Sequence, residues 1–513
     1  MKRFFALLLA LACLLAAAVG CKKQEEAILR YDLDSMPRSL DPQFADPDDT
    51  AAQLLLTNLF AGLTRTAPGG AVGPACAERW EISADALTYT FYLREGLQWA
   101  NGAALTADDF VFGLQRLFDV PHVPPCADFY RFIRNADAVL AGREPLSALG
   151  VRAPDERTVV ISLERPCAEA LTLLARPAAA PCNRVFFADQ KGRYGLDAGS
   201  LLTNGSYTLL RWSDSGASLR RNEAGLAPAA IDGIEFTAAQ DGMARCLEGI
   251  TDACLFDGAT AAANGLTGAV MRDRTWSLLL NPACAACADE NLRRALLAAL
   301  TEETLSDRPG DAAIPSEGLI APSHTVNGTL YRERVGAVAF PVLPRDARQT
   351  MLDAFAALGI EKYPKMTLLI CDDAVSMRIG GAMLQNWTDS LSAYANLETV
   401  SYQTLLSRVR NGQFDLALSP LPADAGDVGG GLHLFSALLD SGDVYGVGAL
   451  LEAAASDADP AHRLLAAEQA IIDAALALPV CETPFVFVCR EGLSGVWCEP
   501  STRIVHFEDA SIG

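Results

Sequence analysis

Residues 87–114 leave the chain little choice of fold. Leu87, Tyr89, Phe91 and Leu93 alternate with Thr88, Thr90 and Tyr92, and a strand with one apolar face satisfies that period of two. Ala100-Asn101-Gly102 follows as a turn, where Gly supplies a backbone conformation that side chains disfavour. Thr106 then precedes Asp108, Asp109 and the apolar Phe110, Val111 and Leu114. This predicts a helix with a hydroxyl cap and acids beside the positive end of its dipole.

The start of the chain is of another kind. Lys2 and Arg3 precede an apolar run from Phe4 to Leu15, and small residues continue to Cys21. The run is too short to span a bilayer and reads as a secretory signal. Ala18-Val19-Gly20-Cys21 resembles a lipobox, in which the Cys is acylated and becomes the mature N-terminus; Ala18 stands where Leu is usual. Ordinary cleavage without lipid is the alternative. Lys22 to Glu26 is a polar tether, and no second apolar run is long enough to span. The expected location is therefore outside the cytoplasm, lipid-anchored on the outer face of the cytoplasmic membrane or on its periplasmic side.

A chain of 513 residues exceeds one ordinary core, so at least two lobes are expected. Its formal net charge of −22 argues against a nucleic-acid partner, whose phosphates demand a basic surface. Of 14 Cys, Cys13 lies in the signal and Cys21 at the lipid site. Export permits disulfides among the rest, but spacing does not give their connectivity.

The second half alternates helix and strand. Trp276 to Asn281 reads as a buried strand, followed by Asp289 as the cap of a helix with Leu292, Ala295, Leu296, Ala299 and Leu300 on one face. Pro344 to Gly359 is a helix stopped by its Gly. Met366 to Cys371 is a strand, Met377 to Leu391 a helix and Phe414 to Ser419 a strand. Asp459-Pro460 opens a helix with Leu464, Leu465, Ile471 and Ile472 in register, ended by Pro479, and Pro484 to Cys489 is a last strand. Such alternation is α/β.

The wording of Pro74 to Phe118, PACAERWEISADALTYTFYLREGLQWANGAALTADDFVFGLQRLF, closely resembles the signature of the family 5 extracellular solute-binding proteins. These are ligand receptors of bacterial ABC importers for peptides, nickel and related solutes. Ser39-Leu40-Asp41-Pro42 and the NLF-GL ending of the next helix, Asn58 to Leu63, resemble the family's opening in the family's order. Ile133 to Pro166 resembles the oligopeptide-binding branch. Asn204-Gly205-Ser206-Tyr207 is similar to its NGPY turn, while Asn222 to Ile231 lacks the Tyr-Trp pair that usually follows.

The resemblance implies an α/β, two-lobed periplasmic-binding-protein-like fold of type II, a hinged Venus flytrap with an enlarged first lobe. Its parts would be a lipoprotein signal peptide (1–20), a tether (21–27), the first lobe (28–275), the second lobe (276–479) and a C-terminal return to the first lobe (480–513). The hinge is expected near Trp276–Asn281 and Pro479–Val488.

Phe414 to Gly431, FDLALSPLPADAGDVGGG, resembles the family segment that lines the cleft. The resemblance puts Asp424 on the Asp that receives a peptide's α-ammonium, a charge-assisted bond in a water-poor cleft. A solvated loop Asp is the alternative. The family Trp is Leu421 here, the Tyr is Ala425 and the Pro after Asp427 is Val428, so stacking area is lost. Asp427 and His433 are weaker ligand candidates, and no carboxylate anchor can be named. Cys284-Ala285-Ala286-Cys287 has the spacing of a redox pair or half a zinc site, but no second CxxC exists, and a local disulfide or two ordinary thiols is the preferred reading. His122, His324, His433, His462 and His506 form no metal-binding motif, and no GxSxG or Walker A is present.

The expected function is thus that of a monomeric receptor, not an enzyme, without metal or cofactor. It would capture oligopeptides between its lobes and deliver them to an ABC importer permease, with the membrane met only through the lipid. The alternatives are a receptor for a nickel chelate, haem or another small solute, and a signalling lipoprotein that kept the fold. An enzyme using Cys or His is the reading from another class.

Overall fold

A computed structural model describes residues 26–47, 49–120, 122–226, 229–300, 314–423, 429, 431–435 and 446–513. Cys21, Asp424 and Asp427 lie outside the described residues.

The expected strand forms over Thr88–Leu93 with alternating burial: Tyr89, Phe91 and Leu93 face the core. It is the second strand of an antiparallel sheet ordered Ala77–Ile82, Thr88–Leu93, Thr158–Ser162, Val151–Asp155. Gly102 takes φ +82° and its amide donates to the Trp99 carbonyl over 2.8 Å. The helix Ala107–Arg116 follows. Asp109 does more there than complement the dipole. Its buried carboxylate accepts the Thr106 amide at 2.9 Å and the Trp99 indole N–H at 3.2 Å, tying the turn to the helix it starts.

The far end of that helix fixes the opening loop. Arg116 donates to both carboxylate oxygens of Asp41, at 3.0 and 2.5 Å, with both side chains buried. Burial pushes the Asp41 carboxyl up, against the pull of the Arg116 guanidinium. A second sheet is built from Ile28–Leu33, Gly233–Ala238, Gly216–Arg221 and Tyr207–Ser213, the first pair parallel and the others antiparallel.

A three-stranded antiparallel sheet joins Ala253–Asp257, Phe485–Cys489 and Ala269–Met271. A mixed six-stranded sheet runs Ile314–Pro315, Ala477–Glu482, Arg274–Leu280, Leu416–Pro422, Met366–Cys371, Ala395–Val400. Helices cover it, among them Glu290–Ala298, capped by Asp289, and Ala374–Leu391, capped by Asp373. The helix Ala347–Leu358 ends at Gly359 with φ +68°, the left-handed stop expected of that residue.

Apolar residues from Leu29 to Met271 share one core with Phe487, Cys498, Val505, Phe507 and Ala510. Residues from Trp276 to Cys481 form two further cores. The chain passes between the three-stranded and six-stranded sheets twice, at residues 272–273 and again at 483–484. The first passage precedes the strand Arg274–Leu280, which ends one residue before Asn281.

Pro479 corrects the reading of the last helix. That helix is Ala461–Asp473 and stops well before the proline, which lies inside the strand Ala477–Glu482. A proline is tolerated there because the register slips beside it: Trp276 faces Cys481, yet Ser277 faces Pro479, leaving Val480 bulged. Among the described residues no helix is long and apolar enough to cross a membrane.

Candidate functional site

The strand Leu416–Pro422 lies between Arg274–Leu280 and Met366–Cys371 in the six-stranded sheet. At its end the Ala423 amide donates to the Asp273 carbonyl over 2.7 Å, which fastens the strand to the first passage between sheets. The chain is anchored again at Leu432–Phe435, a short 3-10 turn in which Leu432 and Phe435 are fully buried. The stretch between these anchors carries Asp424 and Asp427, outside the described residues. His433 belongs to the 3-10 turn, and the position of its side chain is likewise outside them.

Charged side chains gather where the two passages run side by side. Asp273 is buried and accepts two bonds from Arg503, at 2.7 and 3.0 Å, and Arg274 stands 3.5 Å away. Arg503 lies over the Phe485 ring at 3.5 Å. Burial holds its pKa below the ordinary arginine value, with Asp273 opposing. Arg272 bonds the fully buried Glu482 at 2.5 Å and Glu317 at 3.0 Å. Burial pushes the Glu482 carboxyl up, with Arg272 opposing. Trp276 donates to the Thr483 hydroxyl at 3.0 Å, crossing from one passage to the other.

The sequence reading missed this cluster. Its signals were present: Arg272-Asp273-Arg274 sits between two strands, and Glu482 interrupts the apolar run of Ala477 to Val488. Buried charges in apolar surroundings require partners, and only the fold shows that these charges are one another's.

Cys284 and Cys287 precede the helix Glu290–Ala298, and the Cys287 amide donates to the Cys284 carbonyl over 3.0 Å. Cys287 is buried and Cys284 partly exposed, and both are free thiols. Among the described residues no group of three His, Cys, Asp or Glu side chains is arranged to hold a metal. A cavity of about 90 Å³ is lined by Arg176, Gly205, Glu499, His506 and Glu508 among others. It lies within the first core and its C-terminal return, far in sequence from Ala423.

A mixed α/β chain in two bodies, joined by two adjacent passages, has the architecture of a two-lobed binding protein. Residues 71–442 match the family described as "Bacterial extracellular solute-binding proteins, family 5 Middle", and the chain belongs to that family.

Among curated relatives, the probable deoxycholate-binding periplasmic protein YgiS of Escherichia coli is 39% identical over 189 residues, 36% of this chain and 35% of that protein. The periplasmic oligopeptide-binding protein OppA of the same organism is 33% identical over 197 residues, 38% of this chain and 35% of the relative. In both, the matched stretch is only about a third of the relative's length. A dipeptide-binding protein of Lactococcus lactis is 23% identical over 454 residues, 83% of this chain and 82% of its own.

The fold is similar along nearly the whole chain to the substrate-binding domain of an oligopeptide ABC transporter from Bacillus anthracis, with a TM-score of 0.72 and 22% identity over 95% of this chain and 99% of that one. The Haemophilus influenzae OppA complex with the peptide RPPGFSPFR gives 0.73 and 21% over the same shares. The fold is therefore the two-lobed one of these receptors.

Proposed function

We propose that this chain is an extracytoplasmic receptor that captures oligopeptides between its lobes and hands them to the permease of an ABC importer. Family membership across residues 71–442 carries this reading. A relative named a dipeptide-binding protein, matched over 82% of its length, and a fold neighbour solved in complex with a peptide support its choice of ligand.

The ligand would lie beside the passages at 272–273 and 483–484. Its backbone N–H and C=O groups would bond to the protein, since each would otherwise be desolvated without a partner. Affinity from main chain and termini leaves the side-chain pockets permissive. Asp424 would receive the α-ammonium, with Asp427 and His433 as weaker contacts. Closure would be a population shift about the two passages, driven by the ligand's greater affinity for the closed form. The lobes would be 28–275 with 480–513, and 276–479.

The leader would direct export, and acylated Cys21 would hold a monomeric receptor at the membrane surface. Cys21→Ala should then release the protein into the soluble fraction; unchanged membrane association removes the anchor.

A second reading is a receptor for a non-peptide solute. The relative at 39% identity is named for deoxycholate, and the aromatics expected around Asp424 are absent. Native mass spectrometry of the protein purified from its own cells without refolding separates the two. A ladder of bound masses matching short peptides supports the peptide receptor. A single non-peptide mass overturns it in favour of the second reading.

A further inference from the structure

The walls of the cavity at the C-terminal return are held by bonds between distant segments. The Asn58 side chain accepts the Phe507 amide at 3.1 Å and donates to the Val505 carbonyl at 3.3 Å. The Tyr207 hydroxyl donates to the Phe507 carbonyl at 3.0 Å. These bonds strap the strand Val505–His506 to the end of the helix Thr50–Leu59. His506 is 5% exposed, and its ring is fixed by the stack on Trp497 and by Glu508, 3.1 Å from its Nδ1.

Three buried atoms on side chains of that wall have no hydrogen-bond partner among the described residues: His506 Nε2, Glu508 Oε2 and Arg176 Nη2. Arg65 and Asp509 also line the cavity and pair with each other at 3.4 Å. Both are more than half exposed, which puts the mouth at the surface. Arg176 and Glu499 remain. Arg176 forms no ion pair among the described residues. Glu499 is 5% exposed, and its carboxylate accepts only the Thr502 hydroxyl among them, at 2.7 Å. A cation and an anion thus line one cavity without reaching each other.

Ordered water would meet the hydrogen-bonding needs of such a cavity but brings no counter-charge. A single small ion would answer one charge and leave the other. A molecule that carries both charges answers both. We propose that this cavity binds a free α-amino acid as its zwitterion, with the carboxylate on Arg176 and the ammonium on Glu499 and Glu508 Oε2.

His506 Nε2 accepts from a neutral ring and donates from an imidazolium, so it serves whichever end of the ligand lies beside it. A volume of about 90 Å³ has room for roughly six waters, which matches the heavy atoms of alanine and selects glycine and alanine over larger amino acids. The termini of a longer peptide lie too far apart to reach both charges. No lining residue comes from 276–479, so the site does not lie between the lobes and is separate from the proposed peptide cleft.

The test is titration calorimetry of the dialysed protein with glycine and with alanine, and with acetate and methylammonium as single-charge analogues. Saturable binding of glycine or alanine is expected, tighter than that of either analogue. Arg176→Gln and Glu499→Gln should each weaken it about thirtyfold or more, the loss expected when one partner of a desolvated charge pair is removed. No binding, analogues that bind as well, or unchanged affinity in either folded variant overturns the proposal. If a variant fails to fold, crystals of the wild-type protein grown in saturating alanine decide. Alanine between Arg176 and Glu499 upholds the site, and water alone there overturns it. Peptide capture enters none of these readouts.

Discussion

The amide of Ala423 donates to the carbonyl of Asp273 over 2.7 Å, and the Asp273 carboxylate is gripped by Arg503. The residue before Asp424 is thus bolted to the first passage between lobes, and the passage is bolted to the C-terminal return. Asp424→Asn should weaken peptide binding by about 2–5 kcal/mol, because a buried ammonium would lose its counter-charge. Titration calorimetry reads the affinity, and thermal unfolding should be nearly unchanged. Equal affinity in the variant would end the amine role.

Glu468 is fully buried and is satisfied on every side. It accepts the Leu319 and Ile320 amides at 2.6 and 2.9 Å, the Tyr331 hydroxyl at 3.2 Å and Arg332, which is itself buried. Glu468→Ala should destabilise by about 3–5 kcal/mol, since it strands the Arg332 charge and leaves two amides unbonded. Replacing Arg332 by Met and Glu468 by Leu together should recover part of the loss. Urea unfolding measures both, and a loss below about 1 kcal/mol in the single variant would contradict the burial argument.

Gly205 is the Gly of the Asn-Gly-Ser-Tyr turn. Its amide donates to the Leu59 carbonyl at 2.8 Å, and a Cβ there would sit 2.6 to 2.7 Å from backbone atoms of Leu59 and Phe60. Asn204 completes the join by bonding both the amide and the carbonyl of Ala61. Gly205→Ala should destabilise by about 1–3 kcal/mol, because backbone cannot yield as a side chain can. Gly73, with open space where its Cβ would be, should tolerate Ala with little change in Tm.

His506 stacks on Trp497 at 4.0 Å and meets Glu508 at 3.1 Å. Burial would raise the Glu508 carboxyl, but the His506 hydrogen bond and charge outweigh it and hold it below its ordinary 4.5. A carboxyl depressed in the folded state stabilises above its unfolded value, and that stability is lost as pH falls through the folded value. Glu508→Gln should therefore be less stable than the parent above about pH 4.5, and the two should converge in acid. Unfolding midpoints across pH 3 to 6 test this (roughly the carboxylate range), and a constant difference would refute it.

The sequence by itself determined the local elements whose reasons are local. Alternation at Tyr89, Phe91 and Leu93, the Thr106–Asp109 helix start and the Gly359 stop are set by spacing and backbone geometry, and all three form as read. Family wording named the fold because it spans much of the chain, and Asp424 is a ligand candidate through that wording alone. What tertiary structure alone decided is which distant groups meet. Asp41 finds Arg116, and Asp273 finds Arg503. Pro479, which by sequence ends a helix, enters a strand at the point where its register against Trp276 and Ser277 slips, a place where a proline is tolerated. Periodicity reports the faces of one element, whereas the pairing of buried charges depends on how elements distant along the chain pack together.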